Sequence, residues 1–430
     1  MSGGHGGGTI AASSPPRQNG CSPLTGGGPR TEEDEDDDDD EEDSSGEDYT
    51  ESDCSSCSRD RSQDPDGQER KHFLDVCYSF LDYTNDAMHE VDILQDSLKE
   101  LDAHDRALWR VDSETWLAEI RRRVEVNSRF LTSLPIADIC AAHLGPEADR
   151  IISEVPKSHR VASRNASKVR STLRQMVRDW AVEGEAERAA SFSPLIDALL
   201  RNLPPGEGVA PRVLCPGCGL GRLPFDLARC GYNSQGNEFS YHMLMGSHRI
   251  LARCDGPFSY EIFPFVLCTT NRRGSNDHLR AVRVPDLSTR MRLPPNAGMS
   301  MTAGEFVEVY KDQHETWDGM ATCFFLDTAK NVFLYIRMIA QLMRPGGIWT
   351  NIGPLLFHYA EVPNEVSIEL SWEEVKAAIA RYFDFIEERT HLSQYAMNPG
   401  SLMGVKYRCV FFVVRRNSTP PAGVSNPVFG

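Results

Sequence analysis

The densest chemistry in this chain lies in Val213-Leu214-Cys215-Pro216-Gly217-Cys218-Gly219-Leu220-Gly221-Arg222-Leu223. Its glycines stand between a short apolar run and a helical one. A turn without Cβ atoms can be tight and can bring its backbone close to a ligand. The helix behind it presents free N–H groups. Alone, such a loop fits several kinds of nucleotide enzyme. The dinucleotide fingerprint also wants glycine at the sixth position, and counting from Gly217 that position is Arg222. A nicotinamide dehydrogenase is therefore the least favoured enzyme reading. Glu238 closes the next strand, where a carboxylate can accept hydrogen bonds from both hydroxyls of a ribose.

A second group of residues sits further along. Asp327 follows the apolar run Cys323-Phe324-Phe325-Leu326, so it falls at the carboxyl end of a strand, where open α/β sheets bind ligands. His358 follows Ile352-Gly353-Pro354 at the end of another strand, and a lone histidine between Phe357 and Tyr359 is commonly structural. Tyr407 precedes the last apolar strand, with Tyr395 a weaker candidate before it; both are compatible with simple packing. Arg178 lies on an earlier helix, where it would either pair with a carboxylate in a bidentate fashion or face solvent. Cys215 and Cys218 lack a second pair at zinc spacing, as do Cys54 and Cys57, so no metal site is expected.

The elements that must position these groups can be read from periodicity. Residues 1–69 are rich in Gly, Ser, Pro, Asp and Glu, with an unbroken acidic block over residues 32–43, and predict a disordered acidic tail. Residues 70–205 predict a helical N-terminal region, with apolar spacing at 91–101, 109–130 and 136–143, a linker over 156–167, and helices over 168–183 and 192–202. Residues 206–416 alternate strand and helix, which implies a mainly parallel, Rossmann-like sheet with helices on both faces. Its expected strands are 213–215, one ending at Glu238, 281–284, one within 317–326, 348–352 and 409–414. Residues 417–430 predict a flexible C-terminal tail.

Bulk properties narrow the partners. The chain has 430 residues and a net charge of -18, so bulk electrostatics disfavour nucleic acid. No apolar run is long enough to span a bilayer and no secretory signal opens the chain, which predicts a protein of the cytoplasm, with nuclear entry left open. The twelve cysteines are then expected as thiols.

One further motif narrows the class. Met343-Arg344-Pro345-Gly346-Gly347-Ile348-Trp349 is similar to the turn common before the fifth strand of class I methyltransferases. More specifically, several segments resemble the carnosine N-methyltransferase family: Val177-Arg178-Asp179-Trp180, the loop from Pro216 to Arg222, Gly236-Asn237-Glu238-Phe239-Ser240, Ser300-Met301-Thr302-Ala303-Gly304-Glu305-Phe306, residues 321–329 and residues 352–358. The resemblance runs from about Arg70 to Arg416.

It implies S-adenosyl-L-methionine as cofactor and a small His-containing dipeptide as substrate, with methyl transfer to the imidazole Nπ of carnosine to give anserine. It also implies that Gln175 and Arg178 reach the methionine end of the cofactor. Gly217 would contact the cofactor through its backbone, with Gly219 in the same loop, and Glu238 would hold the ribose. Glu305 and Phe306 would flank the adenine, with Cys323 close by. Asp327, His358 and Tyr407 would form the substrate site. Glu305 departs from the family's usual Asp but keeps the charge. Two other readings stay open at this level: a methyltransferase acting on a different peptide, protein or metabolite, and a catalytically silent fold that recruits partners. The oligomeric state, a homodimer included, is likewise open.

Overall fold

The central strands form where short runs of large apolar residues alternate between two buried faces. In β1 (Arg212–Pro216), Val213 and Cys215 join one apolar cluster while Leu214 joins another, as a strand period of two requires. A strand covered on both sides is the signature of a parallel sheet between helix layers. The computed structural model describes residues 65–134, 145 and 163–423. The acidic block, the Cys54–Cys57 pair, the apolar stretch 136–143 and most of the 156–167 linker lie outside those residues, as do residues 424–430.

Among the described residues, the N-terminal region is helical. It contains α1 (Pro65–Leu81), α2 (Tyr83–Lys99), α3 (Ala103–Leu108), α4 (Ser113–Thr132), α5 (Ser163–Trp180) and α6 (Glu185–Asn202). Helix α1 starts inside the segment expected to be disordered, and α5 starts at Ser163, within the expected linker. Helix α5 also ends at Trp180 rather than at 183, because Val182–Gly184 tightens into a 3-10 turn. Asp102 and Asp112 cap α3 and α4 by accepting backbone N–H bonds of the first turn.

After β1 come α7 (Arg222–Arg229), β2 (Asn233–Glu238), α8 (Tyr241–Arg253), β3 (Tyr260–Ile262), β4 (Val282–Val284), β5 (Gly298–Ala303), α9 (Phe306–Tyr310) and β6 (Trp317–Cys323). The chain finishes with α10 (Val332–Leu342), β7 (Met343–Gly353), α11 (Trp372–Ala380), β8 (Phe383–Ser393) and β9 (Tyr407–Arg416). The main sheet has the order β5-β2-β1-β6-β7-β9-β8. The first five strands in that order run parallel; β9 is antiparallel to β7 and β8 antiparallel to β9.

Three strand expectations change. The run 281–284 is a strand, but it pairs with β3 in a separate two-stranded ribbon. The edge strand beside β2 is instead β5, whose sequence Gly-Met-Ser-Met-Thr-Ala carries almost no intrinsic strand preference; a six-residue register with β2 makes it one. Finally, β8 is an additional edge strand loaded with Asp384, Glu387, Glu388 and Arg389, charges that hide its periodicity and blunt the open edge. In β7 the strand already begins at Met343: Trp317 pairs with Met343 and Gly319 with Ile348, so Arg344 to Gly347 is accommodated as a bulge within the ladder.

Helices cover both faces. Phe192, Leu195 and Leu199 of α6 and Leu223 and Leu227 of α7 pack on one side. Met338 and Ile339 of α10 and Val375 and Ile379 of α11 pack on the other. Helix α5 joins the N-terminal helices to the sheet through Leu173, Met176, Val177 and Trp180, all in one cluster with Leu220 and Phe225.

Candidate active site

Connections from β1 run to opposite sides, with β2 on one flank and β6 on the other, which opens a crevice at the carboxyl ends of these strands. The glycine loop lies there. Gly217, Gly219 and Gly221 all have positive φ, of 61°, 54° and 80°. A Cβ on Gly217 would stand 2.6 Å from Cδ2 of Phe325, so the loop is held against the β6 end as closely as glycine permits. Cys218 donates its backbone N–H to the Asn237 carbonyl, tying the loop to β2.

Glu238 faces this loop. Its Oε2 accepts the Gly219 N–H at 2.8 Å, and its Oε1 accepts the N–H groups of Phe239 and Ser240 at 3.0 and 2.9 Å. A buried carboxylate gripped by three backbone donors is fixed in position.

Helix α5 lies across the loop. The Trp180 indole N–H donates to the Leu220 carbonyl at 3.1 Å, and an Asp179 carboxylate oxygen comes within 3.8 Å of where a Gly219 Cβ would stand. Arg178 and Gln175, on the same helix, are both buried, which overturns the surface-arginine alternative. The Arg178 Nη1 bonds Asp179 at 3.1 Å, and its Nη2 reaches the Cys323 sulfur at 3.7 Å. Its Nε stands 3.0 Å from a Glu187 oxygen as an ion pair, yet the Nε–H has no aligned acceptor. Burial works against the Arg178 charge, but the acidic neighbours, Asp179 first and Glu187 with it, outweigh it, so the guanidinium holds its proton more tightly than usual. Burial raises the Asp179 carboxyl in turn, against the pull of Arg178, Arg188 and Arg222. It also pushes the Cys323 thiol up to about 11, which makes that side chain a neutral neighbour rather than a nucleophile.

The structure explains why arginine occupies the loop's sixth position. Arg222 donates to the Asp179 carbonyl and to Asp286, both at 2.7 Å, and bonds Asp226 at 2.9 Å. Arg188 takes the other Asp286 oxygen at 2.7 Å and the Arg178 carbonyl at 2.7 Å. Asp286 therefore links α6 and α7 beneath the crevice. Periodicity did not single out Glu187, Arg188 or Asp286, whose contacts with Ala396 and Met397, with Asp286, and with Arg222 span long stretches of sequence.

The substrate candidates gather at the ends of β6 and β7. Asp327 is buried in a 3-10 turn, where its Oδ2 accepts the Leu356 N–H at 3.1 Å and its carbonyl accepts the His358 N–H at 2.9 Å. His358 is half-buried, and its Nδ1 is buried without a hydrogen-bond partner. Tyr407 and Tyr395 both pack on Phe324, at 5.7 and 4.9 Å between ring centroids, and Tyr395 also covers the Arg178 guanidinium at 4.6 Å. Phe324, Phe357 and Ala396 around this crevice all hold positive φ, strain that non-glycine residues keep where surrounding structure demands it.

Glu305 and Phe306 stand at the end of β5, beside the strand that carries Glu238. Glu305 caps α9, accepting the Glu308 N–H at 2.8 Å, and burial raises its carboxyl. Phe306 is buried against Phe325 and Tyr335.

Sheet order, glycine loop and acidic strand end define a class I S-adenosylmethionine-dependent methyltransferase. The crevice fits that cofactor: the buried Arg178 guanidinium suits its carboxylate, the fixed Glu238 carboxylate suits its ribose, and the glycine turn leaves room for close approach. The carnosine N-methyltransferase family model matches residues 156–418. The rat carnosine N-methyltransferase is 38% identical over 363 residues, covering 83% of this chain and 89% of the rat protein. The Dictyostelium discoideum carnosine N-methyltransferase is 33% identical over 362 residues, 81% of this chain and 77% of that protein. Among solved structures, the N-methyltransferase NodS of Bradyrhizobium japonicum aligns over 58% of this chain and 97% of its own at 12% identity, with a TM-score of 0.35. The chain belongs to the carnosine N-methyltransferase family.

Proposed function

We propose that this enzyme methylates the imidazole Nπ of carnosine to give anserine, with Asp327 and His358 orienting the ring and Tyr407 helping to place it. The observation that carries the reading is the pairing of Asp327 and His358 at adjoining strand ends, with the His358 Nδ1 buried and unpartnered.

S-adenosylmethionine supplies an electrophilic methyl group when bound. The attacking imidazole must present a lone pair, and its neutral form has one nitrogen that can. Attack through Nπ requires the ring proton on Nτ. A carboxylate or histidine acceptor facing that N–H fixes the tautomer and stabilises the cation that develops as the N–C bond forms. Asp327 suits the role because its own orientation is set by the Leu356 N–H. On the cofactor side, Arg178 and Gln175 would hold the amino-acid end, Glu238 the ribose, Gly217 and Gly219 the backbone cradle, and Glu305 and Phe306 the adenine, with Cys323 nearby. Most of the rate gain then comes from orientation.

The test is methyl transfer from labelled S-adenosylmethionine to a panel of carnosine, other His dipeptides, free histidine and cell extract. Label on the carnosine imidazole, located at Nπ by NMR, is the expected result. Label in the extract but not on carnosine would overturn the substrate.

A further inference from the structure

Glu187 stands between the two halves of this site. Its Oε1 lies 3.0 Å from the Arg178 Nε and accepts the Ala396 N–H at 2.7 Å, while its Oε2 accepts the Met397 N–H at 3.3 Å. Both partners of the ion pair are nearly buried, at 7% and 9% side-chain exposure, so solvent does little to screen it. Ala396 lies in the β8–β9 loop, which leads into β9 at Tyr407, and keeps a φ of 48°, an arrangement a non-glycine residue needs help to hold. The residue before it, Tyr395, lies over the same Arg178 guanidinium. Farther along, the loop is pinned by Arg280 to the Asn398 side chain and by the Leu402 N–H to the Asn271 carbonyl.

We propose that Glu187 is a positioning residue that couples the cofactor arginine to the substrate loop. One carboxylate holds the guanidinium and the loop backbone together, so fixing Arg178 fixes Ala396, Tyr395 and, through Phe324, the ring of Tyr407. A cofactor carboxylate on Arg178 then favours the loop arrangement that receives the dipeptide. Linkage requires the reverse as well: dipeptide binding strengthens cofactor binding by the same factor. The inference rests on the proposed function, since the loop matters only if the dipeptide sits beside Tyr407.

The test measures Kd by calorimetry for S-adenosylhomocysteine with and without saturating carnosine, and for carnosine with and without S-adenosylhomocysteine. In the unmodified enzyme each ligand is expected to tighten the other by roughly 5- to 150-fold. Glu187→Gln keeps the side-chain shape but removes the charge. It should bring that factor close to one and raise KM for carnosine by roughly tenfold or more, the scale of a lost charged hydrogen bond. Glu187→Asp should recover part of the coupling. A thermal melt checks that each variant is folded. Full coupling in Glu187→Gln would overturn the inference and leave the proposed function standing. Failure of the unmodified enzyme to bind carnosine would overturn the proposed function itself.

Discussion

The backbone N–H of His358 donates to the carbonyl of Asp327 at 2.9 Å, joining the loop after β7 to the turn after β6. Two residues 31 positions apart are thereby set side by side at the rim of one crevice. The link is through the backbone, so either side chain can be changed without cutting it.

Asp327→Asn removes the negative charge and keeps the size. On the proposed mechanism kcat should fall roughly 100- to 10,000-fold, the range for losing a positioned acid–base or electrostatic group. The Kd for S-adenosylhomocysteine should stay within about threefold, because the cofactor contacts are elsewhere. Single-turnover methyl transfer and calorimetry measure the two quantities. Normal turnover would remove Asp327 from the substrate site.

Glu238→Gln attacks the cofactor side instead. An amide cannot accept from the Gly219 N–H and the two N–H groups that follow as the carboxylate does, since one of its ends is a donor. Cofactor affinity should drop roughly 10- to 100-fold, the scale of lost charged hydrogen bonds. Titration with S-adenosylhomocysteine reads this directly, and an unchanged Kd would show that the carboxylate does not meet the ribose.

Gly184→Ala tests the seat of α5. A Cβ there would stand 2.3 Å from the carbonyl oxygens of both Arg178 and Val177, so the helix end must move. The expected cost is about 3 kcal/mol of stability, with a shifted Arg178 and weaker cofactor binding. Differential scanning calorimetry and the same titration check both; an unchanged Tm would mean that the turn over Val182–Gly184 yields freely.

His278 makes stability depend on pH. It is buried, and burial, aided by Arg272 and Arg123, pushes its pKa down to about 4. The unfolded histidine titrates near 6.5, so between those values the unfolded chain binds the extra proton. Its neutral form therefore supports the fold above about pH 6.5, and that support is lost as pH falls towards 4. The loss is about 3 kcal/mol at most. Urea midpoints measured from pH 7 down to pH 4.5 should fall, and His278→Gln should flatten this part of the profile. An equally steep profile in the variant would assign the dependence to other groups.

Local chemistry wrote much of this protein into its sequence. Glycines at 217, 219 and 221 must make a tight turn because only glycine adopts positive φ freely, and all three do. Glu238 could be placed at a strand end by counting, and long motifs carried the family. The short apolar run Val213-Leu214-Cys215 marked a strand, and β1 is that strand. What the sequence by itself did not determine depends on partners far apart along the chain. Gly298–Ala303 is a strand because β2 lies beside it, and 282–284 leaves the main sheet because Tyr260–Ile262 offers another partner. Arg178 reads as an ordinary helical arginine until Asp179, Glu187, Tyr395 and Cys323 are folded around it. Glu187 gains its place between Arg178 and the β8–β9 loop only when a residue 209 positions away donates to it. Periodicity reports which face of an element is buried; only the tertiary structure decides what that face, and each buried charge upon it, is buried against.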